Sequence, residues 1–543
     1  MIHYVHVLDA ETAGMTDDFV RHKLPPAEQW PRFLFDAPGL RFAPRLNACT
    51  ELLDRAVDEG HGQRVAVYGE SEAWTYRELQ QRVQRLARLL SEQLGVQAGQ
   101  RVLLRSANSP WLAACWLAVW RIGAVAVGTM PLLRAKELRQ IVQRAQVSHA
   151  LCAQALREEL ELARPDCPSL REVMLLGDEA FTRRLEAVPP GWPAHDSASD
   201  DPALIAFTSG TTGIPKGCVH AHRDILAMCE VFPRHCLKPG CEDIFIGTPP
   251  LAFTFGLGGL LCFALHARAA TVLLESPTPR KLLEAIRERG ATICVSSPTG
   301  YRQLAALGER QGLRSLRKCV SAGEPLNLAT RQQWSAVSDA GMYDGVGGTE
   351  MMHIYIASSP QDYREGAVGR VLPGYEARLV DEHMRDVPLG EIGHLALRGP
   401  TGCRYLDDER QTRYVREGWN ITGDTYHVDA DGYYYYHARV DDMIITSGYN
   451  VAGPEVESVL LEHPAVADCA VIGVPDEARG QIVKAFVVLR EGCEPGDGLA
   501  AELQNFVKLR AAPYKYPRAL RFVQELPRTE TGKLQRFRLA QLP

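Results

Sequence analysis

The absences in this 543-residue chain narrow its class before any motif does. The opening residues, MIHYVHVLDAETAG, hold no basic segment followed by an apolar core, so no secretory leader is expected there. Runs of Lys and Arg are missing, and 60 basic against 66 acidic residues leave a net charge of −6. A nucleic-acid or anionic-membrane surface therefore gains no support, and any bound anion has to be held by local geometry. The 14 cysteines form no CxxC pair, and Cys236 and Cys241 have no second ligand pair at zinc-site spacing. Reduced, buried thiols in a cytoplasmic protein are the expectation. No long apolar run is unbroken either: residues 111–133 are interrupted by Arg121, Gly123 and Gly128, which predicts a buried helix running into a strand and not a membrane span. Repeats and low-complexity tracts are absent. What remains is ordinary, with 46% hydrophobic and 23% charged residues, and excludes a disordered chain or a fibre. The length calls for more than one core.

Along the chain, strand-like and helix-like stretches alternate. Residues 82–94 and 110–121 carry apolar residues at helical spacing, and 101–105 and 124–129 read as strands. The same texture continues through the short apolar runs 204–207, 270–274, 293–296 and 319–321. Such alternation predicts parallel sheet covered by helices. After the tyrosine-rich run 432–436 and the charged residues 439–442 the pattern restarts, with helices at 454–462 and 499–509 and strands at 467–473 and 484–489. The reading is α/β: a large N-terminal domain, 1–440, of helix-covered, largely parallel sheets, and a small mobile α+β C-terminal domain, 441–543.

The most informative stretch follows an apolar strand: Thr208, Ser209, Gly210, Thr211, Thr212, Gly213, then Ile-Pro and Lys216-Gly217. Small residues let backbone N–H groups approach a polyphosphate, while hydroxyls and a lysine add donors and charge. It is no Walker A loop, because Pro215 stands before the lysine and Gly217 after it, and GxGxxG is absent. A plain Ser/Gly/Thr turn is the bland alternative, which a lysine after proline and between glycines disfavours.

This run resembles the phosphate loop of the adenylate-forming superfamily, which holds acyl-CoA synthetases, firefly-type luciferases and peptide-synthetase adenylation domains. Further elements follow in that family's order from about Asn47 to Arg538, including residues 47–54, 74–79 and 101–123. The resemblance implies two half-reactions. A carboxylate attacks the α-phosphate of ATP to give acyl-AMP, and a thiol then displaces AMP. Ala322, Gly323 and Glu324, with Asp344, Gly345, Val346 and Gly347, would flank adenine; Val346 replaces the aromatic found in many relatives. Thr349 would donate to the α-phosphate and Glu350 would help hold Mg²⁺, a hard cation suited to carboxylate and phosphate oxygens. Asp424 would accept both ribose hydroxyls and Arg439 would reach the same sugar, with Ala438 where relatives carry glycine. Lys533, in the run Pro527–Lys533, would be the catalytic lysine, and Asp441 the hinge of a rotating small domain. Ser447, Gly448 and Tyr449 would line the coenzyme A tunnel, with Arg479 a candidate for the CoA phosphates.

For the acid, Thr254 stands where amino-acid-selecting relatives carry an aspartate, so no counter-charge awaits an ammonium. The stretches 253–258 and 347–353 resemble benzoate–CoA and 2-aminobenzoate–CoA ligases. Thr254, Phe255, Gly256, Val346 and His353 are then pocket candidates, with a small aromatic acid, 2-aminobenzoate or benzoate, as substrate. Short- or medium-chain acids, and a carrier-protein thiol in place of CoA, stay open, as does the oligomeric state, a homodimer included.

Overall fold

The structure of the chain is a computed structural model, and it describes residues 15–208, 215–439, 442–446, 449–476, 479–511, 514–528 and 534–542. Two compact units are present. The first takes the chain up to Pro25, Arg41–Leu226 and Arg404–Asp408; the second takes Pro26–Leu40, Ala227–Cys403 and the chain from Glu409 onward.

The first unit is built on a six-stranded sheet. Its order is Glu172–Leu176, His149–Ala153, Arg101–Arg105, Val125–Thr129, Pro202–Thr208 and Lys216–Ala221. All neighbours are parallel except the last pair. The strands Arg101–Arg105 and Val125–Thr129 are buried along their whole length, as a parallel sheet covered on both faces requires. Between them runs the helix Pro110–Arg121, which starts where Ser109 accepts a hydrogen bond from the Leu112 N–H and Pro110 presets the first turn. That helix is buried from Leu112 to Arg121, so the apolar stretch is core, as its broken pattern predicts. Among the described residues no helix is long and apolar enough to cross a membrane. The helix expected over 82–94 begins earlier, at Tyr76: Thr75 and Glu78 form a reciprocal capping box, and the α-helix Tyr76–Arg88 continues into a π turn, Leu89–Gln93.

Among the described residues the second unit contains strands of three sheets. In the first, Ala270–Val272, Ile244–Gly247, Ile293–Ser296, Lys318–Ala322 and Gly341–Gly347 are parallel neighbours, and Ile354–Ser358 and Arg370–Val371 add antiparallel at the edge. A second, antiparallel sheet joins Glu376–Val380, Gly393–Arg398, Trp419–Val428, Val415–Arg416 and Tyr434–Arg439. The third gathers Met443–Thr446, Tyr449–Ala452, Val466–Asp476, Gly480–Leu489 and Ala519–Phe522. The helices Gly453–Leu461 and Asp497–Arg510 complete it, over a core that includes Ile444, Val456, Leu460, Val471, Val483 and Leu503. This restart of strand and helix pattern near the C-terminus is the α+β texture read from the sequence. The cysteines are free thiols and mostly buried, and burial pushes the Cys49 thiol up to about 12.

Candidate active site

The two strands flanking the phosphate-loop motif form a hairpin whose mouth is the register pair Thr208 and Lys216. Ser209, Gly210, Thr211, Thr212 and Gly213 lie outside the described residues. The Thr208 hydroxyl is buried and has no hydrogen-bond partner among the described residues, so a donor or acceptor is left over at this mouth. Lys216 donates from Nζ to the Tyr405 hydroxyl at 2.9 Å and lies 4.9 Å from the centre of that ring. Tyr405 is held there because the Val219 N–H donates to the Arg404 carbonyl and the Leu406 N–H to the Gly217 carbonyl, both at 2.8 Å. Arg404 in turn reaches Asp224 Oδ2 at 2.6 Å, with both side chains out of solvent. Burial alone would raise the Asp224 pKa, yet Arg404, His220 and Arg223 outweigh it and bring the carboxyl down to about 2. Tyr405 and this ion pair carried no signal in the sequence, where Arg404-Tyr405 is an unremarked pair shortly before the charged run Asp407-Asp408-Glu409-Arg410.

In the second unit, the adenine-flanking candidates stand at the carboxyl ends of adjacent parallel strands. Ser321 pairs in register with Asp344 and Ala322 with Gly345. Carboxyl ends of parallel strands are where open α/β sheets bind ligands. Gly323 is exposed just beyond, and Glu324 accepts from the Thr299 hydroxyl at 2.6 Å and the Thr299 N–H at 3.2 Å. Val346 is half-buried and Gly347 exposed, so the aliphatic surface expected from Val346 is reachable. Gly347 leaves no room for a side chain, since a Cβ would stand 2.6 Å from the His353 carbonyl oxygen. Asp344 itself is buried, and burial raises its pKa to about 7 against the opposing pull of Arg331.

Thr349 and Glu350 occupy a single 3-10 turn, Thr349–Met351, directly after that strand. Asp424 and Arg439 are opposite each other on antiparallel strands. Glu350, Asp424 and Arg439 all act on the buried Tyr355 hydroxyl: burial raises its pKa, the two carboxylates raise it further and Arg439 opposes them. The structure thus gathers the proposed metal-binding carboxylate and both ribose-binding groups around one tyrosine. Burial lowers the Arg439 pKa, but Asp424, Tyr436 and Glu350 more than reverse this. Ala438 is buried in the strand Tyr434–Arg439 and is not among the left-handed residues, so replacing the family's glycine there strains nothing.

The acid-pocket candidates also meet. Thr254, Phe255 and Gly256 form the first turn of a helical run that passes through a π turn, Leu257–Cys262, into Phe263–His266. Gly256 packs where a Cβ would stand 2.1 Å from the Pro250 carbonyl oxygen. His353 is buried against that run: its ring centre lies 4.5 Å from that of Phe263, 5.7 Å from Phe255 and 6.2 Å from Phe232. A Cβ on Gly258 would meet the imidazole at 2.5 Å, so glycine makes room for it. Burial pushes the His353 pKa down to about 3, so the ring is neutral. Nε2 faces the Phe255 carbonyl at 3.4 Å and therefore carries the hydrogen, while Nδ1 is buried with no partner among the described residues.

Lys533, Asp441, Ser447 and Gly448 lie outside the described residues. Tyr449 is placed by its backbone as the start of the strand Tyr449–Ala452. Arg479 is exposed, and its N–H donates to Asp476 Oδ1 at 2.9 Å.

These placements define a class, and comparison with known proteins agrees with it. Residues 53–404 match the AMP-binding enzyme family and residues 455–533 the AMP-binding enzyme C-terminal domain; the chain belongs to this adenylate-forming family. It is 33% identical to a benzoate–CoA ligase of Thauera aromatica, with 92% of this chain and 97% of that protein covered. It is also 33% identical to the mitochondrial acyl-coenzyme A synthetase ACSM5 of Mus musculus, over 86% of this chain and 84% of the other. The crystal structure of an anthranilate CoA ligase in complex with anthranoyl-AMP superposes with a TM-score of 0.88 at 34% identity, covering 92% of this chain and 98% of that one.

Proposed function

We propose that this AMP-binding enzyme is a cytoplasmic acid–thiol ligase that activates a small aromatic carboxylic acid with ATP and passes the acyl group to coenzyme A. The chemistry brings one anion onto another, so catalysis consists largely of donors and positive charge aimed at the charge that develops. Thr208 to Gly213 and Lys216 are assigned to the phosphates. Ala322 to Glu324 and Asp344 to Gly347 are assigned to the base, and Asp424 with Arg439 to the ribose. Thr349 donates to the α-phosphate. Lys533 supplies the positive side chain as the carboxylate oxygen bonds to the α-phosphorus and pyrophosphate departs. In the second half-reaction a thiol displaces AMP from the acyl carbon, with Ser447, Gly448, Tyr449 and Arg479 assigned to the CoA arm and phosphates and Asp441 to the hinge.

Glu350 fits Mg²⁺ by its chemistry: it is a half-buried carboxylate, a hard oxygen donor suited to that ion. When bound, the ion would neutralise phosphate charge.

The observation that carries the choice of acid is the His353 imidazole, neutral and enclosed by three phenylalanines, with one ring nitrogen that has no donor to it among the described residues. Apolar walls suit an aromatic ring, and the acceptor suits an N–H or O–H donor on it, which favours 2-aminobenzoate or a hydroxybenzoate over benzoate. An unmet buried acceptor of this kind discriminates by about 10–100-fold. The test is pyrophosphate release with benzoate, 2-aminobenzoate, hydroxybenzoates, butyrate and octanoate, with and without CoA. The ratio of kcat/KM for 2-aminobenzoate over benzoate is expected to exceed one and to fall toward one in His353→Ala. A response confined to straight-chain acids overturns the aromatic assignment, and product formed only on a carrier protein overturns CoA.

A further inference from the structure

A ring of alternating charges joins the part of the chain that matches the C-terminal domain to the turn at the end of the strand Lys318–Ala322. Arg528 Nη1 donates to Glu324 Oε1 at 2.5 Å, and Nη2 donates to Asp468 Oδ2 at 2.6 Å. Arg302 Nη2 reaches the other oxygen of Asp468 at 3.4 Å and the Thr299 hydroxyl at 2.9 Å, and Thr299 closes the ring on Glu324. The four charged side chains are each 14–22% exposed, so they are screened far less than a surface pair.

The local structure is shaped for these contacts. Thr299 and Arg302 lie on the helix Pro298–Ala306, capped by Ser297. Asp468 sits at an irregularity in the pairing of Val466–Asp476 with Gly480–Leu489, the kind of feature that re-aims a side chain. Arg528 is fixed at the backbone as well: it bridges Leu534 antiparallel, and the Gln535 N–H donates to the Pro527 carbonyl at 2.8 Å. Arg528 stands five positions before Lys533 in sequence, and Glu324 is the residue assigned to flank the base.

We infer that Arg528 and Asp468 are positioning residues for the first half-reaction: their clasp on Glu324 and Arg302 ties Arg528, five positions before the assigned lysine, to the nucleotide-flanking turn, and has to open before thioester formation. This inference rests on the proposed two-step ligase reaction. Neither residue is assigned to substrate, so their effect is expected on rate and not on nucleotide affinity.

The experiment compares wild type with Arg528→Ala, Arg528→Lys, Asp468→Asn and the double variant Arg528→Ala/Asp468→Asn. Two rates are read, acid-dependent ATP–pyrophosphate exchange and thioester formation from supplied acyl-AMP and CoA. Hydrogen exchange of peptides spanning 527–535 and 466–476 is read in parallel. Arg528→Ala and Asp468→Asn should each slow pyrophosphate exchange about tenfold in kcat, the effect of one lost charge-assisted hydrogen bond. KM for ATP and the thioester rate should stay near wild type, and Arg528→Lys should recover part of the exchange rate. The double variant should be no slower than Arg528→Ala, because both act through one cluster. In the variants both peptides should exchange faster. Equal loss of both half-reactions, a rise in KM for ATP alone, or unchanged hydrogen exchange each overturns the clasp. If wild type forms no adenylate with any acid, the ligase reading fails, while the hydrogen exchange still decides whether the clasp exists.

Discussion

Asp344 is a carboxylic acid enclosed at the end of a parallel strand, where burial raises its pKa from the ordinary 3.8 to about 7 despite the nearby Arg331. An acid whose pKa rises on folding holds its proton longer in the folded than in the unfolded state, so its contribution to stability declines as pH climbs from about 3.8 and is fully lost by about 7. Asp344→Asn removes this titration while keeping the shape of the protonated acid. The variant should match wild type in thermal midpoint near pH 4, gain on it up to neutral pH, and hold a constant advantage above, on the order of a few kcal/mol. Midpoints measured from pH 4 to 9 check this, and a gap that does not change with pH would exclude the buried-acid account. His353 is the opposite case: burial lowers its pKa from the ordinary 6.5 to about 3, so it takes up a proton only on unfolding and its contribution to stability rises with pH from about 3 to 6.5, equally in both proteins, leaving the gap between them unchanged. Little of this was legible beforehand, because a lone Asp or His gives no sign of the walls around it. Those walls come from Phe232, Phe255 and Phe263, which lie about a hundred residues from His353 in sequence.

Elements were legible where a periodic pattern coincided with a local stop or start signal. Pro110–Arg121 is such a helix, with Ser109 and Pro110 at its start and Gly123 beyond its end. The helix Tyr76–Arg88 was read too short because its first turn is fixed by the Thr75–Glu78 capping box more than by apolar spacing. The π turns Leu89–Gln93 and Leu257–Cys262 have no sequence pattern of their own, since tertiary packing decides whether an extra residue is accommodated. The strand Trp419–Val428 shows how a motif shapes an element: Gly423 takes φ +78° just before Asp424, and the pairing with the next strand shifts register just after it. A Cβ at Gly423 would also stand 3.1 Å from Arg439 Nη2. Gly423→Ala should therefore strain the backbone by about 1 kcal/mol or more and displace the arginine. Because the pair is assigned to the ribose, KM for ATP should rise several-fold, roughly in line with that strain, while KM for the acid stays put. Steady-state kinetics in each substrate separate the two, and an equal rise in both would remove Asp424 and Arg439 from the nucleotide.

At the scale of the whole molecule, the motif order pointed to the family and to a C-terminal sheet with its own core, but not to the way the chain is threaded. Residues Arg404–Asp408 belong with Arg41–Leu226, nearly two hundred positions earlier, and no periodicity announces such a return. The return is held by backbone and charge together. Tyr405 bridges Cys218, the Asp407 N–H donates to the Lys23 carbonyl at 2.9 Å, and Arg144 meets Asp408 at 2.9 Å. At its centre Arg404 neutralises Asp224 with both side chains at most 2% exposed. Such a pair adds little over a well-packed apolar one, but removing one partner leaves a buried charge without compensation, which costs about 3–5 kcal/mol. Arg404→Met should therefore lower the thermal midpoint of the first unit by on the order of 10 °C and speed amide exchange in the strand Lys216–Ala221. Arg404→Met/Asp224→Leu, which removes both charges, should recover most of the loss. Calorimetry together with hydrogen exchange reads both effects. If the single variant melts like wild type, or the double variant melts lower still, the late segment is held by its backbone bridge and not by its buried charge.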